Sequence, residues 1–390
     1  MNDILPEEVS RWHRLEAAFR AHAELHGYAE VRTPLIEATA LFEREVGATT
    51  DIVEKEMYSF TRHDDALTVR PEGTAGAARA YVEHKVHTKE PVSRWYYLGA
   101  MFRGERPAKG RYRQFWQAGC ELYGDPGPLA DAEMIDLVCG FLERVGIHGF
   151  RVHVNSIGAP ASRDKFREAV RDYFRAHEAS LSDDSRRRLE TNALRVLDSK
   201  DPRDRALAAG APRITDHLDA DDAAHWHGVV KYLDALGVDY VVDPSLVRGL
   251  DYYTRTLFEV KATASDLGAQ SALGGGGRYD GMVRSLGGPE TPAIGFALGL
   301  ERILQTMPAV DVARPPMVYL APLAEVGAEK ALLVARELRA AGVRAEIDRG
   351  GKLKAILRRA DGRGARLCII LGDEVARGVA SVKDLASHAQ

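Results

Sequence analysis

Apolar residues recur at helical spacing near the start of the chain, at Trp12, Leu15 and Phe19. Pro6 suits a first helical turn, and Glu7 and Glu8 favour the positive end of a helix, so the pattern predicts a first helix that stops at Gly27. Tyr28 to Pro34 then reads as a strand. Arg94 to Tyr123 is rich in aromatic and β-favouring residues interrupted by a polar stretch, Gly104 to Gly110, and predicts a long hairpin. From about Ala161 to Gly237 charged, helix-favouring residues take over. Phe166, Val170 and Phe174, then Arg186 to Leu197, suggest a helical insertion. Extended structure returns at Val247 to Lys261, followed by a glycine cluster at Gly274 to Gly277 and an apolar helix at Gly299 to Leu304.

Pro308, Pro315 and Pro316 bracket a stretch without clear periodicity, which predicts a domain boundary. Beyond it strand and helix alternate. Met317 to Ala321 reads as a strand, Glu329 to Ala341 as a helix closed by Gly342, and Val343 to Ile347 as a strand. Lys352 to Ala360 follows as a basic helix and Leu367 to Leu371 as a buried strand, which together make a small α/β domain.

The 390 residues are 45% hydrophobic and 28% charged, with a net charge of −4, which excludes disorder and collagen-like repeats and allows two or three domains. The longest apolar runs, such as Leu367 to Leu371, fall far short of the ~18–20 residues that cross a bilayer, and Asp3, Glu7 and Glu8 replace a basic leader. A cytoplasmic protein with no membrane partner is expected. Cys120, Cys139 and Cys368 are too scattered for a disulfide framework or a zinc pair and read as core residues. With so little net charge, a nucleic acid would have to be held by a local patch.

Candidate chemistry concentrates in five segments. In Leu67 to Ala75 a strand runs into Pro71 and a glycine turn presenting Glu72 and Thr74, a carboxylate and hydroxyl suited to an ammonium group; a capped helix start is the alternative. From Phe102 to Gln117, Arg103, Arg106, Lys109, Arg111 and Arg113 crowd one short loop of a slightly acidic protein, which suits phosphates. A solvated hairpin loop is the plainer reading. Phe115 could stack on a base, and Gln117 and Glu121 share its strand parity. Between Leu246 and Glu259, Arg248, Asp251, Tyr252 and Tyr253 form a dense polar cluster. A buried Arg248 would need an anion, either a ligand's or that of Asp251. Gly274 to Gly281 lacks the endings of a phosphate loop or a dinucleotide fold, so its glycines are read as permitting close backbone approach. Gly295 to Arg302 is a small-residue strand entering a helix that begins with a charged pair.

In this order the segments resemble the histidyl-tRNA synthetases over essentially the whole chain. Phe102 to Glu105 matches the Phe-Arg-x-Glu core of a class II motif, and Gly299 to Arg302 its final Gly-Leu-Glu-Arg. Arg70 to Thr74, Leu246 to Tyr253 and Gly276 to Gly281 match stretches of the histidine-specific members. The resemblance implies an α+β fold: a class II catalytic domain over 1–307 built on a six- or seven-stranded antiparallel sheet, with a helical insertion at 161–237. A linker at 308–316 and a C-terminal α/β anticodon-binding domain at 317–390 would follow. It also implies a homodimer with the first helix and the Tyr28 to Pro34 strand at the interface.

Residue by residue, the resemblance gives Arg103 and Arg248 catalytic roles at the ATP α-phosphate, with Arg248 also at the substrate carboxylate. Glu105 would hold the adenine amino group, Phe115 and Arg302 would sandwich the base, and Arg111 would reach the terminal phosphates. Glu72, Thr74 and Gln117 would take the α-amino group of L-histidine, with Gly73 in the same segment. Glu121 and Tyr253 would take the imidazole nitrogens, and Tyr252 and Tyr279 would shape the pocket. Arg106 and Arg113, with Lys352, Lys354 and Arg358 of the basic helix, would contact tRNA(His), and Mg²⁺ would accompany ATP and the departing pyrophosphate.

Departures from the family pattern are informative. Many relatives carry cysteines in the insertion where this chain shows Ala159 and Ser162, Ser182 and Ser185, and Ser199, so no metal is expected from cysteines there. Trp116 stands where His is usual and should face away from the site. Ala108 replaces a residue that is often Gln in the loop thought to read the tRNA end. Both ends look short, and the last domain is expected to lack its final helix. The runner-up reading is the regulatory subunit of ATP phosphoribosyltransferase, a non-catalytic paralogue; a synthetase-derived tRNA-binding or signalling module is a third.

Overall fold

A computed structural model describes residues 2–47, 50, 52–108, 110–197, 199, 201–246, 252–263, 271–309, 316–323 and 325–387. The chain divides into two compact units, 1–309 and 310–390. The first contains α1 (Pro6–Leu25), β1 (Ala29–Glu30), β2 (Ile36–Ala38), α2 (Thr39–Val46), β3 (Tyr58–Arg62), β4 (Asp65–Val69), α3 (Thr74–Glu83), β5 (Ser93–Phe102), β6 (Gln114–Tyr123), α4 (Pro128–Arg144) and β7 (Phe150–Ser156). It continues with α5 (Pro160–Ala176), α6 (Asp183–Thr191), α7 (Pro202–Ala208), α8 (Ala220–Leu236), β8 (Tyr240–Val242), β9 (Thr254–Ala262), β10 (Ala272–Arg278), α9 (Met282–Ser285), β11 (Ala293–Gly299) and α10 (Leu300–Thr306).

An eight-stranded sheet of order β1-β5-β6-β11-β10-β9-β7-β8 organises this unit. Its six inner strands are antiparallel, and the short edge strands β1 and β8 add in parallel to β5 and β7. The expected hairpin is complete, with ten pairs running from Ser93↔Tyr123 to Phe102↔Gln114. The strand expected over Tyr28 to Pro34 shrinks to Ala29–Glu30. One further bond, from Val31 N–H to the Tyr96 carbonyl, follows it before Pro34, which has no N–H to give, leaves the edge.

Strand alternation divides the sheet's two faces. Tyr96, Ala118, Cys120, Leu122, Ile294, Phe296 and Leu298 point into the main core, where Trp12, Leu15 and Phe19 of α1 and Phe141 of α4 meet them. Trp116 packs edge-on against Trp12, 6.0 Å between centroids, so it faces the helices as expected. In the insertion, Phe166, Val170, Phe174, Leu181, Leu189 and Val196 close a separate small core. Trp226, Val229 and Leu233 place α8 in the main core instead, so packing divides the stretch expected as one insertion. Ser182, Ser185 and Ser199 all donate to Asp204 Oδ2 at 2.6 Å. These hydroxyls thus clamp a buried carboxylate that joins α6, the following turn and α7.

A smaller sheet, β2-β4-β3, flanks the unit and leaves Ile36 and Phe60 exposed. In the second unit β12 (Met317–Pro322) pairs in parallel with β13 (Arg344–Ile347) and β14 (Leu367–Leu371), and β15 (Ser381–Asp384) adds antiparallel to β14. Helices α11 (Glu325–Ala340) and α12 (Leu353–Gly362) pack on this sheet through separate apolar clusters. Of the charges expected on the basic helix, Arg359 is taken by Asp348 in a two-bond pair at 2.7 and 2.8 Å, whereas Lys352, Lys354 and Arg358 are exposed. Among the described residues no helix is long and apolar enough to cross a membrane.

Candidate active site

The face of the large sheet turned away from α1 and α4 carries a cavity of about 230 Å³. At one end it is lined by Glu72, Thr74, Gln117, Tyr252, Tyr253 and Tyr279, and at the other by Arg103, Glu105, Arg111, Phe115, Glu301 and Arg302. Loops and helix starts from five segments far apart in the chain therefore converge over β6, β10 and β11.

Glu121 lies beneath the first end, fully buried on β6. Its Oε1 accepts from the Thr74 hydroxyl at 2.8 Å and its Oε2 from the Tyr279 hydroxyl. Space for the carboxylate comes from Gly295 on the neighbouring strand, where a Cβ would run into Oε2. Burial pushes the Glu121 carboxyl up to about 8, against the pull of the two hydroxyls. When the carboxyl is ionised both hydroxyls donate to it, and each then offers lone pairs to the cavity. This end therefore presents acceptors.

Glu72 takes part in the helix start and also borders the cavity. Its oxygens accept the N–H groups of Thr74 and Ala75 at 2.7 and 2.8 Å, which caps α3, yet the side chain also lines the cavity. Burial pushes its carboxyl up, and those two N–H groups pull it back. Gln117 Oε1 is buried with no hydrogen-bond partner, so a strong acceptor stands unused beside Glu72 and Thr74. Gly73 is buried between them, and a Cβ there would strike the Tyr97 ring.

The second end is cationic and flat. The Arg103 guanidinium lies 5.2 Å from the centroid of Phe115, and its Nε donates to the Pro71 carbonyl at 2.9 Å. Arg302 donates to the carbonyls of Gly110 and Ala272 at 3.0 and 2.9 Å, which ties the hairpin loop to β10. Arg111 pairs with Glu105 at 3.3 Å. Both oxygens of Glu301 accept the Trp116 N–H, and burial pushes this carboxyl up to about 7. Arg106 and Arg113 are exposed on the loop. Arg248, Asp251 and Lys109 lie outside the described residues.

Comparison with known proteins settles the family. Residues 1–303 match the family model described as Histidyl-tRNA synthetase, and residues 317–390 the one described as Anticodon binding domain. The chain belongs to the histidyl-tRNA synthetase family. A histidine–tRNA ligase from Sorangium cellulosum is 68% identical over all of this chain and 92% of its own length. Another from Desulforamulus reducens is 46% identical, over all of this chain and 94% of its own. The apo S. aureus histidyl-tRNA synthetase structure aligns with a TM-score of 0.82 at 34% identity, covering 100% of this chain and 94% of that one.

Within this synthetase fold, one group of residues escaped sequence reasoning. Arg278 is fully buried and donates to Asp131 of α4, to the carbonyls of Asp125 and Gly127 and to Asp280, while His225 Nε2 sits 2.8 Å from Asp131 Oδ2. This network fixes β10 just before Tyr279. Arg278 stands inside a motif recognised in the sequence, but Asp131 and His225 carry no local signal. Arg70, the first residue of the Arg70 to Thr74 motif, donates to the Ala100 carbonyl and to Thr33, holding β5 beside the start of the site.

Proposed function

We propose that the chain activates L-histidine with ATP to histidyl-adenylate and transfers the histidyl group to the 3′ end of tRNA(His). A histidine carboxylate oxygen attacks the ATP α-phosphorus in line, the bond to the bridging oxygen breaks, and pyrophosphate leaves. A terminal ribose hydroxyl of the tRNA then attacks the acyl carbon and AMP departs. Such chemistry depends mainly on positioning and on neutralising charge.

The observation that carries this reading is the acceptor-lined end of the cavity, with the unused Gln117 Oε1 next to Glu72 and Thr74. An α-ammonium group supplies the donors this end lacks. Glu121 and Tyr253 are assigned to the imidazole nitrogens, Glu121 acting on the cavity through Thr74 and Tyr279, with Tyr252 shaping the wall. A pocket that satisfies both ring nitrogens rejects side chains without them. At the other end Phe115 and Arg302 are assigned to the adenine ring, Glu105 to its amino group, Arg103 to the α-phosphate and Arg111 to the terminal phosphates. Arg248 is assigned to the α-phosphate and substrate carboxylate from its motif alone.

Mg²⁺ would neutralise phosphate charge; it binds through one or two carboxylates and phosphate oxygens. Glu259 and Glu301 line the cavity and offer such oxygens, so the donor set fits. The exposed Lys352, Lys354 and Arg358 of the second unit, and Arg106 and Arg113 of the loop, are assigned to tRNA phosphates. A homodimer with α1 and the Tyr28 to Pro34 segment at its interface, and a cytoplasmic location, belong to the same proposal. The match of 317–390 to an anticodon-binding domain favours the ligase over the regulatory-subunit reading. Histidine-dependent exchange of pyrophosphate into ATP tests the proposal, since neither binding-module reading allows it; no exchange with a folded chain would reject it.

A further inference from the structure

Tyr252 and Tyr253, which line the cavity, are held from behind by the β7–α5 connection and the first turns of α5 and α8. They run directly into a distorted strand start, where Arg255 has φ +48, a left-handed conformation that a side chain with a Cβ rarely adopts. On the neighbouring strand Gly277 stands opposite Leu257 and the next residue, Arg278, opposite Thr254, so Arg255 and Thr256 bulge out of the ladder. Strain of this kind persists only where the surroundings over-determine it.

The surroundings here come from the β7–α5 connection, the first turn of α5 and the first turn of α8. Arg255 N–H donates to the Gly158 carbonyl at 2.9 Å, and the Arg255 carbonyl accepts from Ile157 N–H at 2.7 Å. Its Nε donates to Asp222 Oδ1 at 2.8 Å, and the Asp222 side chain, in the first turn of α8, is only 1% exposed. The other oxygen of Asp222 accepts the Ala159 N–H at the start of α5, 2.7 Å away. One turn into α5, Arg163 donates to the Tyr253 carbonyl at 2.9 Å. Tyr253, in turn, packs with Ile157, Leu246 and Leu257. Both ends of Tyr253–Arg255 are thus gripped by residues that do not themselves line the cavity.

We propose that Asp222 and Arg255 form a latch that positions Tyr252 and Tyr253 for the amino-acid substrate, making the first turn of α8 a determinant of histidine affinity. The proposal rests on the assignment of that end of the cavity to histidine. Asp222 and Arg255 are positioning residues. Releasing them lets the strained Arg255 relax towards ordinary strand geometry and turns Tyr253 out of place, while the adenine end, built from β5, β6, β11 and α10, is untouched.

The test is histidine-dependent pyrophosphate exchange on the full chain, with KM for histidine and for ATP measured separately and thermal unfolding recorded in parallel. Asp222→Asn and Arg255→Ala should each raise the histidine KM about tenfold, the worth of one misplaced hydrogen bond, with the ATP KM within about twofold. Arg255→Lys, which keeps the charge, should recover part of the loss. A folded variant whose histidine KM stays at the parent's value, or whose two KM values rise together, overturns the latch. If Asp222→Asn does not fold, Arg255→Ala, which leaves Asp222 bonded to Ala159 and keeps a Cβ on the left-handed φ, carries the test with the same two outcomes. A parent that shows no histidine-dependent exchange overturns the assignment of the cavity and the latch with it, a result distinct from a variant that matches an active parent.

Discussion

Replacing Glu121 by Gln tests the chemistry of the histidine end with almost no change of shape. The carboxylate receives two hydroxyl donors, one on each oxygen, and the Gln amide can accept only one of them. The other hydroxyl, of Thr74 or Tyr279, must take an N–H and turn its own proton towards the cavity. An acceptor then becomes a donor facing the donors of the substrate. One such mismatch at a buried site costs about 1–3 kcal/mol, so above about pH 8, where the parent's carboxyl is ionised, the histidine KM should rise about 5- to 150-fold while the ATP KM stays near the parent's. The pH dependence gives a second handle. Burial holds the carboxyl at about 8, and only the ionised form directs both hydroxyls inward. Histidine affinity should therefore climb with pH up to about 8, at most about tenfold per unit, and Glu121→Gln should remove that component. Stability should show the opposite trend. Between the ordinary 4.5 and about 8 the folded chain keeps a proton that the unfolded chain releases, so this group's contribution falls as pH rises, and the variant should lack that slope. Pyrophosphate exchange and thermal unfolding across pH 5.5–9 are the assays. Equal rises in both KM values, or a variant with the parent's pH profile, would refute the reasoning.

Arg248→Ala should lower single-turnover adenylate formation on the order of 10²–10³-fold with a smaller change in substrate binding, and Lys should recover only part, because it lacks the planar fork. A stable variant with near-normal adenylation would remove Arg248 from the mechanism. Arg278→Ala leaves Asp131 an uncompensated buried charge and should destabilise the first unit by about 3–5 kcal/mol in denaturant unfolding; a loss below about 1 kcal/mol would mean that His225 alone suffices. Changing Lys352, Lys354 and Arg358 together to Ala should weaken tRNA binding and flatten its salt dependence by up to about three charges' worth, with exchange unaffected. An unchanged salt slope would place the RNA elsewhere.

The elements that could be read from the sequence are those whose pattern is local. The β5–β6 hairpin is rich in aromatic residues along both arms, and α1 shows one apolar stripe between Pro6 and Gly27. The glycine run carries no strand signal of its own, because glycine has no side chain to alternate, yet Gly274 to Gly277 lie inside β10. There the backbones and side chains of the flanking strands occupy the space a Cβ would need. Polar groups of the site were legible as types but not as partners. Glu121 was visible beside Gln117, but its burial under Thr74 and Tyr279 follows from pairings 47 and 158 residues apart. The Arg278–Asp131 pair spans 147 residues and the Arg255–Asp222 pair 33. No helical or strand period reports contacts of that kind. The short polar strand β15 was missed for a simpler reason: it pairs on one side only and has little apolar pattern.

The measurement that bears most directly on the whole account is transfer of labelled histidine to a tRNA(His) transcript by the purified chain with ATP and Mg²⁺. The account predicts charging that requires ATP, is specific for histidine among the amino acids, and fails when the terminal ribose of the tRNA is oxidised. A folded chain that binds the tRNA yet forms no histidyl-tRNA under these conditions would contradict it.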